Sequence, residues 1–186
     1  AELAIHAALT GHLVLSTLHT NDAIGSVPRL VDMEVEPFLL ASSLQVVAAQ
    51  RLIRKICDKC KEVMPLTDVQ KNRLGQMYQE VSLEEKKAYN LKPNQDIVVY
   101  KGVGCEECGR TGYKGRVGIY EVFEITDAVK AIITDHQAND HDLRKEAIDQ
   151  GMITMKEDGL LKVLLGLTTL AEVERATEGK LLIDEG

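Results

Sequence analysis

An α/β fold with an inserted metal-binding subdomain and a helical C-terminal region is what this 186-residue sequence predicts, on three observations. A helical pattern at the N-terminus passes through Gly11 into the short apolar run 12–18 and a polar loop, the order of an α/β unit. All four cysteines fall into two C-x-x-C pairs, Cys57/Cys60 and Cys105/Cys108. Beyond residue 150, capping boxes and post-helical glycines recur.

Ala4, Ile5, Ala8 and Leu9 fall at helical spacing, and Gly11 stands where a left-handed residue ends a helix. The chain enters this helix at once, without an initiator methionine, which reads as a piece of a longer protein. The run 12–18 (HLVLSTL) predicts a buried strand of a parallel sheet. In such sheets ligands lie beyond the carboxyl ends of the strands, here Ser16, Thr17, His19, Thr20 and Asn21. Pro28 suits the first turn of a short helix to Met33, and Pro37 that of a longer helix to about Ala49.

Residues 51–56 alternate charged and apolar, a strand leading into the first cysteine pair. From 61 to 96 the chain is polar; Thr67 and Ser82, the latter with Glu85 as a capping box, predict two helices. Residues 97–100 read as a strand feeding the second pair. The glycines of 109–116 (GRTGYKGR) predict tight turns around a metal knuckle, with a phosphate-cradling loop as the sharper alternative. A strand follows over 117–125. Capping boxes at Thr154/Glu157 and Thr169/Glu172, with Gly151, Gly166 and Gly179 as terminators, predict the C-terminal helices.

Two C-x-x-C knuckles separated by residues 61–104 match a structural zinc site, four thiolates each about 2.3 Å from one ion. The alternatives are two disulfides, or four reduced thiols lining a core. A disulfide scaffold is normally smaller and denser in cysteine, and a redox C-x-x-C needs no matching second pair. With 22 basic against 29 acidic residues the net charge is −7, against a nucleic-acid surface, which needs a concentrated positive footprint. No uncharged stretch makes a convincing membrane helix.

Gly11-His12-Leu13-Val14-Leu15-Ser16-Thr17-Leu18-His19-Thr20-Asn21-Asp22-Ala23 closely resembles the histidine box of secretion ATPases, the hexameric motors of type II secretion and type IV pili. Further matches follow in order: Val35-Glu36-Pro37-Phe38-Leu39, the run from Ala49 to Cys57, Gly112-Tyr113-Lys114-Gly115-Arg116-Val117-Gly118-Ile119-Tyr120-Glu121, Asp158-Gly159-Leu160 and Gly166-Leu167-Thr168-Thr169-Leu170. The resemblance implies three parts. Residues 1–56 would end a RecA-like nucleotide-binding domain, 57–116 would be an inserted tetracysteine zinc subdomain, and 117–186 a returning strand with a helical C-terminal subdomain. The cysteine quartet marks the family's assembly and secretion branch, against its retraction motors.

By the same resemblance the full-length protein would be a homohexameric ATPase using ATP and Mg2+. It would lie in the cytoplasm, peripheral at the inner membrane against a platform protein, with structural Zn2+ held by Cys57, Cys60, Cys105 and Cys108, and without nucleic acid. A non-catalytic zinc-ribbon binding module is the alternative. His12 and His19 would approach the terminal phosphate of ATP, with Thr17 a lesser candidate. On a straight strand the two rings would start roughly 20 Å apart, which favours His19 at the carboxyl end. The pattern G-x-x-x-x-G-K-[ST] is absent, since Gly179-Lys180 is followed by Leu181, so residues 1–186 alone are expected not to hydrolyse ATP. Two departures from the family pattern are Glu34, where glycine is common, and Pro28, inside an expected helix.

Overall fold

The computed structural model describes residues 1–135, 140–177 and 181. In chain order they form α1 (Glu2–Leu9), α2 (Ser26–Asp32), α3 (Pro37–Ser43), β1 (Val46–Ile56), β2 (Lys61–Met64), α4 (Asp68–Glu80), α5 (Leu83–Ala88), β3 (Val99–Gly102), β4 (Tyr113–Glu124), α6 (Asp127–Thr134), α7 (Asp140–Asp149), α8 (Met155–Leu164) and α9 (Leu170–Thr177). Strand β1 pairs with β4, and β2 with β3. The second pair is antiparallel, with Lys61 opposite Gly102 and Met64 opposite Val99. Next to the first pair, Ile125 N–H donates to Gln45 O and Cys57 N–H to Gly112 O, at 2.9 and 3.0 Å, so β1 and β4 also run antiparallel.

The chain divides into two compact units, one of Ala1–Ala49 with Glu121–Met152, the other of Gln50–Tyr120 with the residues from Ile153 onward. In the first, Val129 and Ile133 on α6 and Leu143 and Ala147 on α7 recur four residues apart, so each helix presents one apolar stripe. These stripes share a core with Ala23, Ile24, Val27, Leu40 and Phe123. Fully burying a side chain such as Phe123 is worth about 2–3 kcal/mol.

In the second unit, Leu74 and Tyr78 of α4 are buried, as are all of α8's residues from Asp158 to Leu164. Gly159 lets α8 approach α9: a Cβ there would lie 2.5 Å from Val173 Cγ1. Burial of Asp158 is made tolerable by Lys162 one turn on, by the Tyr89 hydroxyl at 2.5 Å and by Tyr120 N–H at 2.7 Å. Burial, and after it the hydrogen bond to Asp158, push the Tyr89 hydroxyl above its ordinary pKa.

Several expectations are corrected. Residues 12–18 form no strand: Leu13 and Leu15 are 91% and 89% exposed, and no neighbouring strand among the described residues offers their backbone a ladder. A run buried on both faces of a sheet needs partners on both edges. The helix from Pro37 stops at Ser43 rather than near Ala49, because the Ser42 and Ser43 hydroxyls donate back to Leu39 O and the β-branched Val46–Val47 pair opens β1. Strand β2 falls inside a stretch read as polar and helical. Thr169 accepts from Glu172 N–H, but the Glu172 carboxylate goes to Arg54 and Arg175 instead of closing a capping box. The boxes at Thr67 and Thr154 are complete. Gly179 lies outside the described residues.

The helix ends explain Glu34. Gly11, at φ +89°, closes α1 with His12 N–H on Ala7 O and Gly11 N–H on Ala8 O. Helix α2 ends in the same way, with Val35 N–H on Leu30 O and Glu34 N–H on Val31 O, but the left-handed position, φ +64°, holds Glu34. A side chain there is strained where glycine is not. Glu34→Gly is therefore expected to raise the stability of the first unit by about 1 kcal/mol. Urea unfolding followed by a probe in α6 or α7 checks this; an equal or lower midpoint would contradict it.

Candidate metal centre and histidine loop

Strand β1 delivers Cys57 directly after Ile56, and the turn to Cys60 closes with Cys60 N–H on Cys57 O at 3.2 Å. The second knuckle is a single 3-10 turn, Glu106–Cys108, in which Cys105 N–H donates to Cys108 Sγ at 3.2 Å and Arg110 N–H to Cys105 O at 2.8 Å. Two further bonds join the knuckles, Cys57 N–H to Gly112 O at 3.0 Å and Val103 N–H to Cys60 O at 3.1 Å. Only glycine permits this approach: a Cβ on Gly102 would lie 2.2 Å from Gly112 O.

The four sulfurs lie within 4.8 Å of one another. Cys57–Cys105 and Cys60–Cys108 are 3.9 Å apart and Cys105–Cys108 3.8 Å. Thiolates about 2.3 Å from the centre of a tetrahedron are about 3.8 Å from one another. A disulfide would need about 2.05 Å. The predicted quartet is thus brought together with the geometry of a four-thiolate metal site, and the disulfide alternative is not what the fold forms. Gly112 N–H points at Cys108 Sγ, 3.3 Å away, so the glycine-rich loop serves sulfur. The N–H groups of Cys105 and Gly112 hold the Cys108 thiol below its ordinary pKa, while burial pushes that of Cys60 up. A cation at the centre would favour all four thiolates.

The first knuckle is clamped from the C-terminal helices. Ile56 N–H donates to Leu167 O at 2.9 Å and Thr168 Oγ1 to Arg54 O at 2.9 Å. Glu172, 1% exposed at its side chain, accepts from Arg54 Nη2 at 2.6 Å, Arg54 N–H at 2.8 Å and Arg175 Nη2 at 3.0 Å. The Arg54 guanidinium also stacks 4.1 Å from the Tyr113 ring centre. Burial alone would raise the Glu172 carboxyl pKa; the two guanidiniums and the Arg54 N–H outweigh it and bring it down to about 2. Sequence reading paired Glu172 with Thr169; Arg175 at i+3 was a visible signal, Arg54 was not.

In the first unit Thr17 and His19 are exposed. His12 sits at the C-terminus of α1, its Nδ1 3.2 Å from Ala7 O and 3.1 Å from Thr10 Oγ1. The turn after His19 is well braced. Thr20 Oγ1 donates to Asp22 O at 2.9 Å, Gly25 N–H to Asp22 Oδ1 at 2.8 Å, Ala23 N–H to Glu121 Oε1 at 3.0 Å and Arg144 Nη2 to Asp22 Oδ2 at 2.8 Å. Glu121 and Arg144, distant in sequence from the loop, were not among the candidate residues.

The family model described as "Type II/IV secretion system protein" matches residues 1–175. The chain belongs to this family. Among its relatives, a type II secretion system protein E of Pectobacterium carotovorum subsp. carotovorum is 43% identical over 96% of this chain and 32% of its own length. The type IV pilus assembly ATPase PilB of Thermus thermophilus is 44% identical over 93% of the chain and 18% of its own length. The chain thus spans about a third or less of these type II/IV secretion relatives. The crystal structure of the pilus retraction motor PilT with bound ADP aligns with TM-score 0.55 and 24% identity, over 94% of this chain and 35% of that one, which shows a similar α/β fold. Among the described residues no helix is long and apolar enough to cross a membrane.

Native mass spectrometry of this type II/IV secretion chain is expected to show one zinc, removed by a chelator or by Cys105→Ser. Amides of 57–64 and 99–116 should then exchange faster while α6 and α7 keep their protection; uniform loss across the chain would contradict this. Because the Glu172 pKa is lower folded than unfolded, its contribution is present above about pH 4.5 and lost as pH falls toward 2. Glu172→Gln should cost about 2 kcal/mol at pH 7, and its deficit against the parent chain should shrink as the pH falls through that window. A deficit constant from pH 7 to 3, read by urea unfolding, would refute the assignment.

Proposed function

We propose that this chain is the C-terminal portion of a ring-forming ATPase motor that drives type II secretion or type IV pilus assembly. The observation that carries the reading is the 43% identity to a type II secretion system protein E across 96% of the chain. The fine structure of the reading is our own: residues 1–56 as the end of a RecA-like nucleotide-binding domain, 57–116 as a zinc subdomain and the rest as a helical C-terminal subdomain. A homohexamer, cytoplasmic and docked on an inner-membrane platform protein, is the assembly we propose, favouring the assembly and secretion branch because of the cysteine quartet.

The metal is assigned a structural role. Four thiolates complete a tetrahedron and keep no open position for a reacting water, so the site organises two knuckles and does no chemistry. ATP and Mg2+ supply the phosphoanhydride and its charge neutralisation in the full-length protein. His19, exposed beside a braced turn, is assigned to the terminal phosphate, where an imidazole donor stabilises developing charge; Thr17 lies within reach of the same role. His12, engaged at the end of α1, is the lesser candidate.

In the full-length protein, His19→Ala is expected to lower kcat for ATP hydrolysis by about 10²-fold. Residues 1–186 alone are expected to release phosphate from ATP no faster than buffer, since they carry no Walker A pattern. Parent-like turnover by the His19 variant would refute the role of His19, and phosphate release by the isolated chain would refute the division of labour.

A further inference from the structure

The segment between His19 and α2 lies outside helix and strand; Ser26 N–H on Ala23 O and Val27 N–H on Ile24 O turn its end into α2, and side chains from two other elements tie it down further. Glu121, 3% exposed on β4, occupies an inward position two residues before the fully buried Phe123. A carboxylate is costly there unless it is used. It accepts Ala23 N–H at 3.0 Å, where Ala23 and Ile24 are fully buried. From α7, Arg144 reaches Asp22 Oδ2 at 2.8 Å, while Asp22 Oδ1 takes Gly25 N–H at 2.8 Å, so one carboxylate both closes the turn and binds it to the helix. Thr20 Oγ1 adds a third tie, donating to Asp22 O and lying 3.2 Å from Ser26 Oγ.

We propose that Glu121 and Arg144 are positioning residues for His19: through Ala23 N–H and Asp22 they hold the turn at 20–25 in one conformation, so that the imidazole immediately upstream is presented to a terminal phosphate in a fixed place. The proposal rests on the assignment of His19 made above. Electrostatic stabilisation of a reacting phosphoryl group depends on donors held in advance, and a displacement of about 1 Å costs up to about 10²-fold in rate. Ground-state affinity for ATP, held by the rest of the nucleotide site, moves little. The two anchors therefore act on kcat.

The test uses the full-length ATPase and, separately, residues 1–186. Arg144→Ala and Glu121→Leu should each lower kcat by about 10-fold or more with KM for ATP within about twofold. Arg144→Lys and Glu121→Gln, which keep a donor and an acceptor, should recover most of it. Arg144→Ala combined with Asp22→Ala should be no slower than the slower single variant, because both remove one contact. Lys130→Ala, which breaks the exposed Lys130–Asp127 pair in the same unit, should leave kcat unchanged. In residues 1–186, Arg144→Ala should speed amide exchange at Ala23 and Gly25 by about 10-fold or more while α6 and α7 stay protected.

Unchanged kcat in Arg144→Ala and Glu121→Leu, with His19→Ala slow, would overturn the positioning role and leave His19 standing. Parent-like turnover in His19→Ala would remove the assignment on which the proposal rests. Unaltered exchange at Ala23 and Gly25 would overturn the anchoring itself, whatever the motor does. Should Arg144→Ala lose protection throughout α6 and α7, the Arg144→Lys variant decides by the same kcat criterion.

Discussion

The antiparallel pairing of β1 with β4 is the constraint each unit depends on, its local register fixed by Ile125 N–H on Gln45 O in the first unit and by Cys57 N–H on Gly112 O in the second. In the second unit that register sets Cys57 beside the loop that follows Cys108, so two knuckles separated by residues 61–104 meet. In the first it turns Glu121 inward, where its carboxylate reaches Ala23 N–H. A one-residue slip would reverse the faces of β4 and send Glu121, Phe123 and Ile119 outward together.

Backbone proximity makes the metal centre. With Gly102 against Gly112 and the sulfurs 3.8–3.9 Å apart at the closest pairs, the chain has spent glycine freedom and four thiols, three of them buried, on this cluster. A cation would turn that cost into cohesion. The Arg54–Glu172–Arg175 cluster, with Tyr113 under Arg54, holds the strand that carries the first knuckle against the C-terminal helices of the same unit. The knuckles are thus part of that unit's fold.

Local signals read well in this sequence. Thr67, Ser82 and Thr154 cap the helices they were expected to cap, and Gly11, Gly151 and Gly166 end the helices before them, because capping depends on residues within one turn. Glu34 stood out against the family pattern, and its left-handed backbone gives that departure a physical meaning. At 12–18 Leu13 and Leu15 carry a buried-strand pattern but face solvent. Val46 and Ala49 keep helical spacing with α3, yet they belong to β1.

By itself the sequence determined which side chains can bind metal, the helix boundaries written in caps and glycines, and membership of a family whose relatives are secretion and pilus ATPases. Those properties depend on residue chemistry and on neighbours a few positions apart. Tertiary structure alone decided that Glu172 answers Arg54 rather than Thr169, that Asp22 is held by Arg144 and Ala23 by Glu121, and that Gly112 N–H faces Cys108 Sγ. Each long-range pairing among them joins residues 98 to 122 positions apart, and no period or propensity encodes which distant donor a carboxylate will meet until the strands have paired.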